Sequence, residues 1–496
     1  MISIEQLRKT LTVNYQYQLL LFVDLATVLD TPTQLYHAIK TVYRQEYLPE
    51  QRLVFYTSQE IKQPVLEHLH QCLSLLNISS FFCLVCTSYN IAVDHFDDPV
   101  SVLKIDLEPT TLIPDSFLIP SSFCPLPWMH LEIKHNGDLY PCCVYESSIG
   151  SSETGSLQDT LENSSMVQLR KEFMQGERPS GCTHCWKLED QGLKSNRQWH
   201  VKQYSQKFYE EYFDNIKIRS LDIKPGNVCN FKCRICNPTN SSLFADEARN
   251  LIQKSVIPID SFTSARSGRW VEYNDYVWNE LKNLLPDIEN LDFYGGEPFL
   301  VKQIPELLTY AVTQGHAEKI KIHFNSNGSV FPEKLIPILL KFKTVDITLS
   351  IDNIGRRFEL ERGGSWQDVS ANILKFMGLR SNKFEVYLMP TVNIQNVYYL
   401  DELLSWAAQH QIRVTLNFLD RPSWANIDQL TDAGKKLIVD KYINSQDENL
   451  KNIAQRVMQS VGSDGRIFVK RMKQFDSVRQ EDFSKTHPEM AQAMGY

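Results

Sequence analysis

The stretch NVCNFKCRICNP, residues 227–238, gathers Cys229, Cys233 and Cys236 within eight positions. Thiolates clustered this tightly hold metal or do redox chemistry more often than they form disulfides. A structural zinc ion takes four closed ligands, commonly as two separated Cys-x2-Cys pairs. Here only three cysteines stand together, and no other Cys or His follows before His316. A four-iron cubane is ordinarily held by four thiolates. Three from one loop would hold three corners and leave the fourth iron open to a ligand that is not protein.

The loop directly follows IRSLDIK, which reads as a strand, and from about residue 216 strand and helix patterns alternate. The other candidate strands are NLDFYGG, KIKIHFNSN, VDITLSID, FEVYLMPTV and IRVTLNFL, separated by helical stretches such as VKQIPELLTYAVTQG and LDELLSWAAQH. Six β/α units in series predict a parallel sheet curled into part of a barrel. In such sheets chemistry gathers at the carboxyl ends of the strands, and that is where the polar turns fall. FYGGEP carries Gly295, Gly296, Glu297 and Pro298; HFNSNG carries Asn325, Asn327 and Gly328; LSID carries Ser350 and Asp352. Arg362 follows in ELERGG, and Asn396 lies after the fifth strand. Paired glycines let backbone approach a ligand closely, and a carboxylate beside them complements an ammonium. Each turn alone is equally an ordinary strand-to-helix connection; their joint order behind the three-cysteine loop sets them apart.

Cys229-x3-Cys233-x2-Cys236 after a first barrel strand resembles the signature of the radical S-adenosylmethionine superfamily, and the later turns resemble that family's motifs over 216–420. The resemblance implies a 4Fe-4S cluster on the three cysteines. Its open iron would chelate the amino and carboxylate groups of S-adenosylmethionine, and one electron would cleave that cofactor to a 5'-deoxyadenosyl radical. It further implies that Gly295, Gly296, Glu297 and Pro298 serve the methionine amino group. Asn325 and Asn327 stand where relatives carry a Thr-Asn-Gly-like turn, Ser350 and Asp352 where they use polar groups for the ribose and carboxylate, and Arg362 resembles an arginine that commonly follows.

Before the barrel, CPLPWMHLEIKHNGDLYPCC and GCTHCW place Cys124, Cys142, Cys182 and Cys185 in a pattern similar to the auxiliary-cluster extensions called SPASM and twitch domains. The absence of further cysteines between Cys185 and Cys229 matches the shorter, single-cluster twitch form. Four thiolates would close a second 4Fe-4S cluster completely, with a four-cysteine zinc site as the alternative. Cys143 is a spare that could replace Cys142 as ligand, stay free or donate a hydrogen atom, and His184 reads as a solvated residue. EIKHNGDLYP is a hairpin signal, with Asn-Gly between two strand-like runs, and ESSIGSSETGS reads as a solvated loop. In many relatives this extension follows the barrel, whereas here it precedes it.

The expected fold class is therefore α/β: a partial (β/α)6 radical SAM barrel at 216–420, preceded by a twitch-type auxiliary iron-sulfur domain at 120–205 and a small α/β domain at 1–115. A helical tail at 421–496 reads as a cover for the open sheet edge. The first glycine of the chain is Gly137, so the N-terminal unit has no Gly-rich turn for a pyrophosphate. Cys83 and Cys86 in FFCLVC, and Cys72, read as small buried hydrophobes. In GRWVEYNDYVWNEL a buried helix face is favoured over a substrate cleft.

The 496 residues are 43% hydrophobic and 22% charged with net charge −8, which gives no electrostatic footprint for nucleic acid. No apolar run reaches the length of a membrane span, roughly 18 residues, and no secretory leader is legible, so a cytoplasmic protein is expected. The leading functional expectation is hydrogen-atom abstraction from a peptide or protein substrate. The N-terminal unit would recognise that partner, and a flavodoxin or ferredoxin would supply electrons. Small-molecule alcohol dehydrogenation and a non-catalytic iron-sulfur or zinc protein are the alternatives.

Overall fold

The computed structural model describes residues 120–496 apart from 154, 193, 208–211, 214 and 254–273, and before them the backbone of four short strands. Those strands are β1 (Leu20–Asp24), β2 (Arg52–Thr57), β3 (Phe81–Val85) and β4 (Leu103–Lys104), in the order β3-β2-β1-β4 and all parallel. The first three fall within the apolar runs QLLLFVDL, RLVFYTS and SFFCLVCTS. Cys83 lies in β3, while Cys72 and Cys86 lie outside the described residues. The described residues fall into two compact units. One holds those up to Pro125 with 168–180 and 185–215; the other holds 126–167, 181–184 and 216–496.

The second unit is built on nine strands: β5 (His130–Ile133), β6 (Asp138–Tyr140), β7 (Gly150–Ser151), β8 (Ser220–Ile223), β9 (Asn290–Phe293), β10 (Lys321–Ser326), β11 (Thr344–Leu349), β12 (Phe384–Leu388) and β14 (Arg413–Val414). Their order is β14-β12-β11-β10-β9-β8-β5-β6-β7, parallel from β14 through β5, as a partial barrel of β/α units requires. Alternation assigns the two faces. Leu221, Leu291, Phe293, Ile322, Phe324, Val345, Ile347 and Val386 are buried on one. There Phe324 stacks with Phe293 at 5.1 Å and Phe299 meets Phe376 of the helix Trp366–Met377 at 6.0 Å. The register puts Glu132, Asp222, Asp292, His323, Asp346, Thr348 and Tyr387 on the other face. A parallel sheet packed on both faces reads apolar throughout; this one keeps a polar face.

Three expectations are revised. The hairpin strand β5, expected in a separate auxiliary unit, pairs in parallel with β8, His130 opposite Ser220 and Ile133 opposite Ile223. The Ser/Gly stretch is not all loop, since β7 within it pairs with β6 and Ser152 is buried. The last barrel strand is broken: β14 pairs with β12, and β15 (Asn417–Phe418) pairs with β13 (Thr391–Val392). Pro390 has no N–H to continue the ladder, and the break falls between β12 and β13 around it. In the aromatic stretch, Val277 and Trp278 of the helix Asp275–Leu284 are buried, as the helix-face reading expects.

Candidate functional site

The cysteine loop leaves β8 and is tied down on three sides. The Cys229 N–H donates to Ser242 Oγ at 3.1 Å and the Cys236 N–H to the Cys233 carbonyl at 2.9 Å. The Val228 carbonyl accepts from the Glu297 N–H at 2.7 Å. Gly296, at φ 57°, makes that last contact sterically feasible: a Cβ there would stand 2.4 Å from the Val228 oxygen. The glycine pair thus serves a close approach of backbone to the cysteine loop itself. Cys233 is buried, and Cys229 and Cys236 are half-buried.

Burial pushes the Cys229 thiol up to about 11 and the Cys236 thiol up to about 12, and in each case the Cys233 thiol beside it adds to the rise. Three thiols whose ionisation each opposes the next form a donor set that a bound cation would reverse in sign. Among the described residues no group of three or more His, Cys, Asp or Glu could hold a single metal ion.

Glu297 is fully buried. Its Oε1 accepts from Ser326 Oγ at 2.9 Å and the Phe299 N–H at 3.2 Å, and its Oε2 from the Asn327 N–H at 2.7 Å. Burial pushes its carboxyl up to about 7 against the pull of these bonds. Its visible work is to hold the turns after β9 and β10 together. Asn327 then reaches the cysteine loop, donating to Asn230 Oδ1 at 3.1 Å and lying 3.8 Å from Cys229 Sγ. Asn325 and Ser350 are half-buried at the ends of β10 and β11, and the Ser350 N–H donates to the Ser326 carbonyl. Pro298 is buried and opens a short turn after the glycines.

Asp352 accepts from the Thr391 N–H at 2.7 Å and from Arg362 Nη1 at 2.6 Å. Burial works against the charge of Arg362, but the Cys233 thiol and Asp352 outweigh it and hold its pKa above the ordinary arginine value. Arg362 is therefore a buried cation beside the cysteine loop. Asn396 is buried and closes its own turn, accepting from the Asn393 N–H and donating to the Thr391 carbonyl. The structure brings together the cysteine loop, the Gly-Gly-Glu-Pro turn, Asn327, Asp352 and Arg362.

The auxiliary cysteines divide between the two units, Cys124 and Cys185 in one and Cys142 and Cys182 in the other. In one unit Arg197 donates to the Ser121 and Phe123 carbonyls beside Cys124, and to Glu189 at 2.6 Å on the helix Thr183–Asp190 that bears Cys185. Cys124 and Cys185 are both buried, and burial raises the Cys185 thiol. In the other unit the Cys142 carbonyl accepts from the Tyr145 N–H, and the Glu146 N–H donates to the Gly181 carbonyl next to Cys182. The Tyr145 ring fills the space a Cβ on Gly181 would need. His184, between Cys182 and Cys185, opens that same helix, and Cys143 is exposed.

Sequence reasoning missed two groups. On the polar face Tyr294 donates to Glu132 Oε1 at 2.5 Å and to Asp222 Oδ2 at 3.2 Å, immediately before Gly295. Burial, then Asp292 and Glu132, raise the Asp222 carboxyl well above its ordinary value. The period-2 alternation LDI, LDF, IHF of charged with apolar residues was the available signal. The C-terminal tail is the second group. Its His487 meets Glu361 at 2.8 Å, both buried, and the Glu361 carbonyl accepts from the Arg234 N–H in the cysteine loop. The tail thus reaches the cysteine loop through Glu361.

This buried pair sets a pH dependence. Burial raises Glu361 to about 8 and lowers His487 well below 6.5. Folded, Glu361 then keeps its proton up to about pH 8, while in the unfolded chain neither group of the pair holds a proton above 6.5. The pair should reduce stability as pH rises from 6.5 to 8, by about 1.4 kcal/mol per pH unit. Denaturation of Glu361→Gln across that range should show the alkaline decline removed.

Comparison with known families bears on this geometry. The family model described as the Radical SAM superfamily matches residues 223–404, and SPASM, an iron-sulfur cluster-binding domain, matches 124–186. No curated protein matches the chain. Among solved structures, native anSMEcpe with bound AdoMet is 18% identical over 44% of this chain and 57% of its own, with a TM-score of 0.31. Streptococcus suis SuiB bound to S-adenosylmethionine is 16% identical over 66% of this chain and 68% of its own, at 0.29. TYW1 with a lysine-pyruvate adduct bound is 12% identical over 45% and 72%, at 0.26. The chain thus spans under two thirds of anSMEcpe. Among the described residues no helix is long and apolar enough to cross a membrane. Residues 223–404 are a radical SAM domain, which implies a 4Fe-4S cluster and S-adenosylmethionine, and 124–186 are a SPASM-type domain, which implies auxiliary iron-sulfur.

Proposed function

We propose that this protein abstracts a hydrogen atom from a peptide or protein substrate. Cys229, Cys233 and Cys236 would hold the cluster that binds S-adenosylmethionine, and Cys124, Cys142, Cys182 and Cys185 an auxiliary 4Fe-4S cluster. The cofactor's contacts would come from Gly295, Gly296, Glu297, Pro298, Asn325, Asn327, Ser350, Asp352 and Arg362. Bound there, the cluster would give one electron to the sulfonium of S-adenosylmethionine, whose C–S bond would break to methionine and a carbon radical able to take hydrogen from an unactivated C–H bond. The carrying observation is the docking of the Gly-Gly-Glu-Pro turn on the cysteine loop through Gly296 and Val228.

The chain's own residues prepare the site. Glu297 fixes two strand-end turns, Asn327 links the second to Asn230, and Asp352 aims Arg362 at the cysteine loop. Tyr294, Asp222 and Glu132 offer a polar lining on the face of the sheet that the aromatic cluster leaves uncovered. The domain scheme 1–115, 120–205, 216–420 and 421–496 gives the first unit the task of recognising a partner, with a flavodoxin or ferredoxin as electron source. A peptide encoded beside this chain, incubated with reduced, iron-loaded protein and S-adenosylmethionine, should accelerate release of 5'-deoxyadenosine and change mass itself. Acceleration by small alcohols and not by the peptide would move the substrate to the dehydrogenase class.

A further inference from the structure

Arg234 stands between two of the loop cysteines, and its side chain is completely buried. Nη2 lies 2.5 Å from Asp476 Oδ1 and 2.6 Å from Glu481 Oε2, and Nη1 lies 3.4 Å from Met472 Sδ. Asp476 is itself buried and oriented: its other oxygen accepts from the Phe483 N–H at 2.7 Å and from the Tyr496 hydroxyl. A second bridge runs in parallel. Lys232 reaches Glu247 at 2.6 Å, and Glu247 also takes Arg479 at 3.1 Å. The loop and the tail helix Arg466–Arg479 are thus joined by two ionic bridges, more than 200 residues apart in sequence, with His487 and Glu361 as a third link through the Arg234 N–H.

Buried ion pairs of this kind rarely gain stability over an apolar replacement, because both charges must be stripped of water. What they supply is a fixed geometry, and the element fixed here is the backbone that carries Cys233 and Cys236. We propose that the tail from Arg466 to Tyr496 is a clamp on the cluster loop, with Arg234 as a positioning residue anchored by Asp476. It sets how firmly the loop keeps its cluster and how strongly buried cations favour the reduced state. This rests on the reading that the three cysteines hold that cluster.

The test uses full-length, iron-loaded protein carrying Asp476→Asn, which keeps shape and removes one counter-charge. Outer-shell groups of metal sites change affinity by about 10- to 100-fold, so a chelator should strip half the iron about tenfold faster or more, the auxiliary half leaving at the wild-type rate. The potential of the three-cysteine cluster, followed by its electron paramagnetic resonance with and without S-adenosylmethionine, should move to less negative values because Arg234 is left under-compensated. Asp476→Glu should restore most of both. Glu481→Gln, whose side chain is less buried, should shift the potential in the same direction and serves if Asp476→Asn does not fold. Asp464→Asn, in an exposed pair with Arg466, should change neither. A lowered Tm with unchanged stripping rate and potential in both Asp476→Asn and Glu481→Gln would reduce the clamp to a fold contact and overturn the proposal. Loss of no iron when the three cysteines are replaced would instead overturn the cluster assignment beneath it, and the clamp with it.

Discussion

Replacing Cys229, Cys233 and Cys236 together by Ala is expected to halve the iron of the anaerobically reconstituted protein, from about eight atoms to about four for two cubanes, and to abolish release of 5'-deoxyadenosine. The effect should be on ligation and not on folding. The loop is held by groups other than the thiols: the Val228 carbonyl on the Glu297 N–H, Ser242 on Cys229, and Arg234 on the tail. Those contacts survive the substitution, so a loss of activity with an unchanged far-ultraviolet spectrum isolates the cluster. Wild-type protein should cleave the cofactor slowly even without substrate, which supplies the baseline. Continued cleavage by the triple variant would remove the radical assignment from this loop.

Much of the site was legible because each motif combines a backbone demand with a chemical one. Gly296 is needed where a Cβ would collide with the Val228 carbonyl, and the cysteines follow directly on that residue. What Glu297 does was not legible. A carboxylate after two glycines reads as a partner for an ammonium, yet both its oxygens are taken by Ser326, Phe299 and Asn327. Its partners come from the next strand, and nothing local announces them. The same limit hid the tail: Asp476 and Glu481 look like solvated helix charges until the fold brings Arg234 to them. The parallel strands β8 to β12 were legible from the repeated strand-then-helix pattern, whereas β5 was not assigned to their sheet. An Asn-Gly turn predicts a hairpin, and it forms, with Gly137 at φ 84°. That one strand of the hairpin also pairs with β8 is a non-local choice made by the buried Leu131 and Ile133 against Leu221 and Ile223.

Changing Cys182 and Cys185 together to Ala should separate the two clusters in the opposite direction, sparing slow cofactor cleavage while abolishing product formation from the true substrate. Neither residue belongs to the cysteine loop or to the turns around Arg362, and each is held by its own neighbours: Cys182 beside Gly181 and the Tyr145 ring, Cys185 on a helix fixed by Arg197 and Glu189. The loop contacts through Val228, Ser242 and Arg234 therefore stay intact. The substituted protein should keep about four irons and release 5'-deoxyadenosine uncoupled from substrate. Loss of a bound metal also removes binding energy that supports the fold, so the melting temperature should fall, and a Cys182→Ser, Cys185→Ser pair checks that the result does not depend on the replacement chosen. Stoichiometric zinc in wild-type protein prepared anaerobically with iron in excess would assign these four cysteines to a structural zinc site. Retained product formation by the double variant would show that this domain does not serve the reaction.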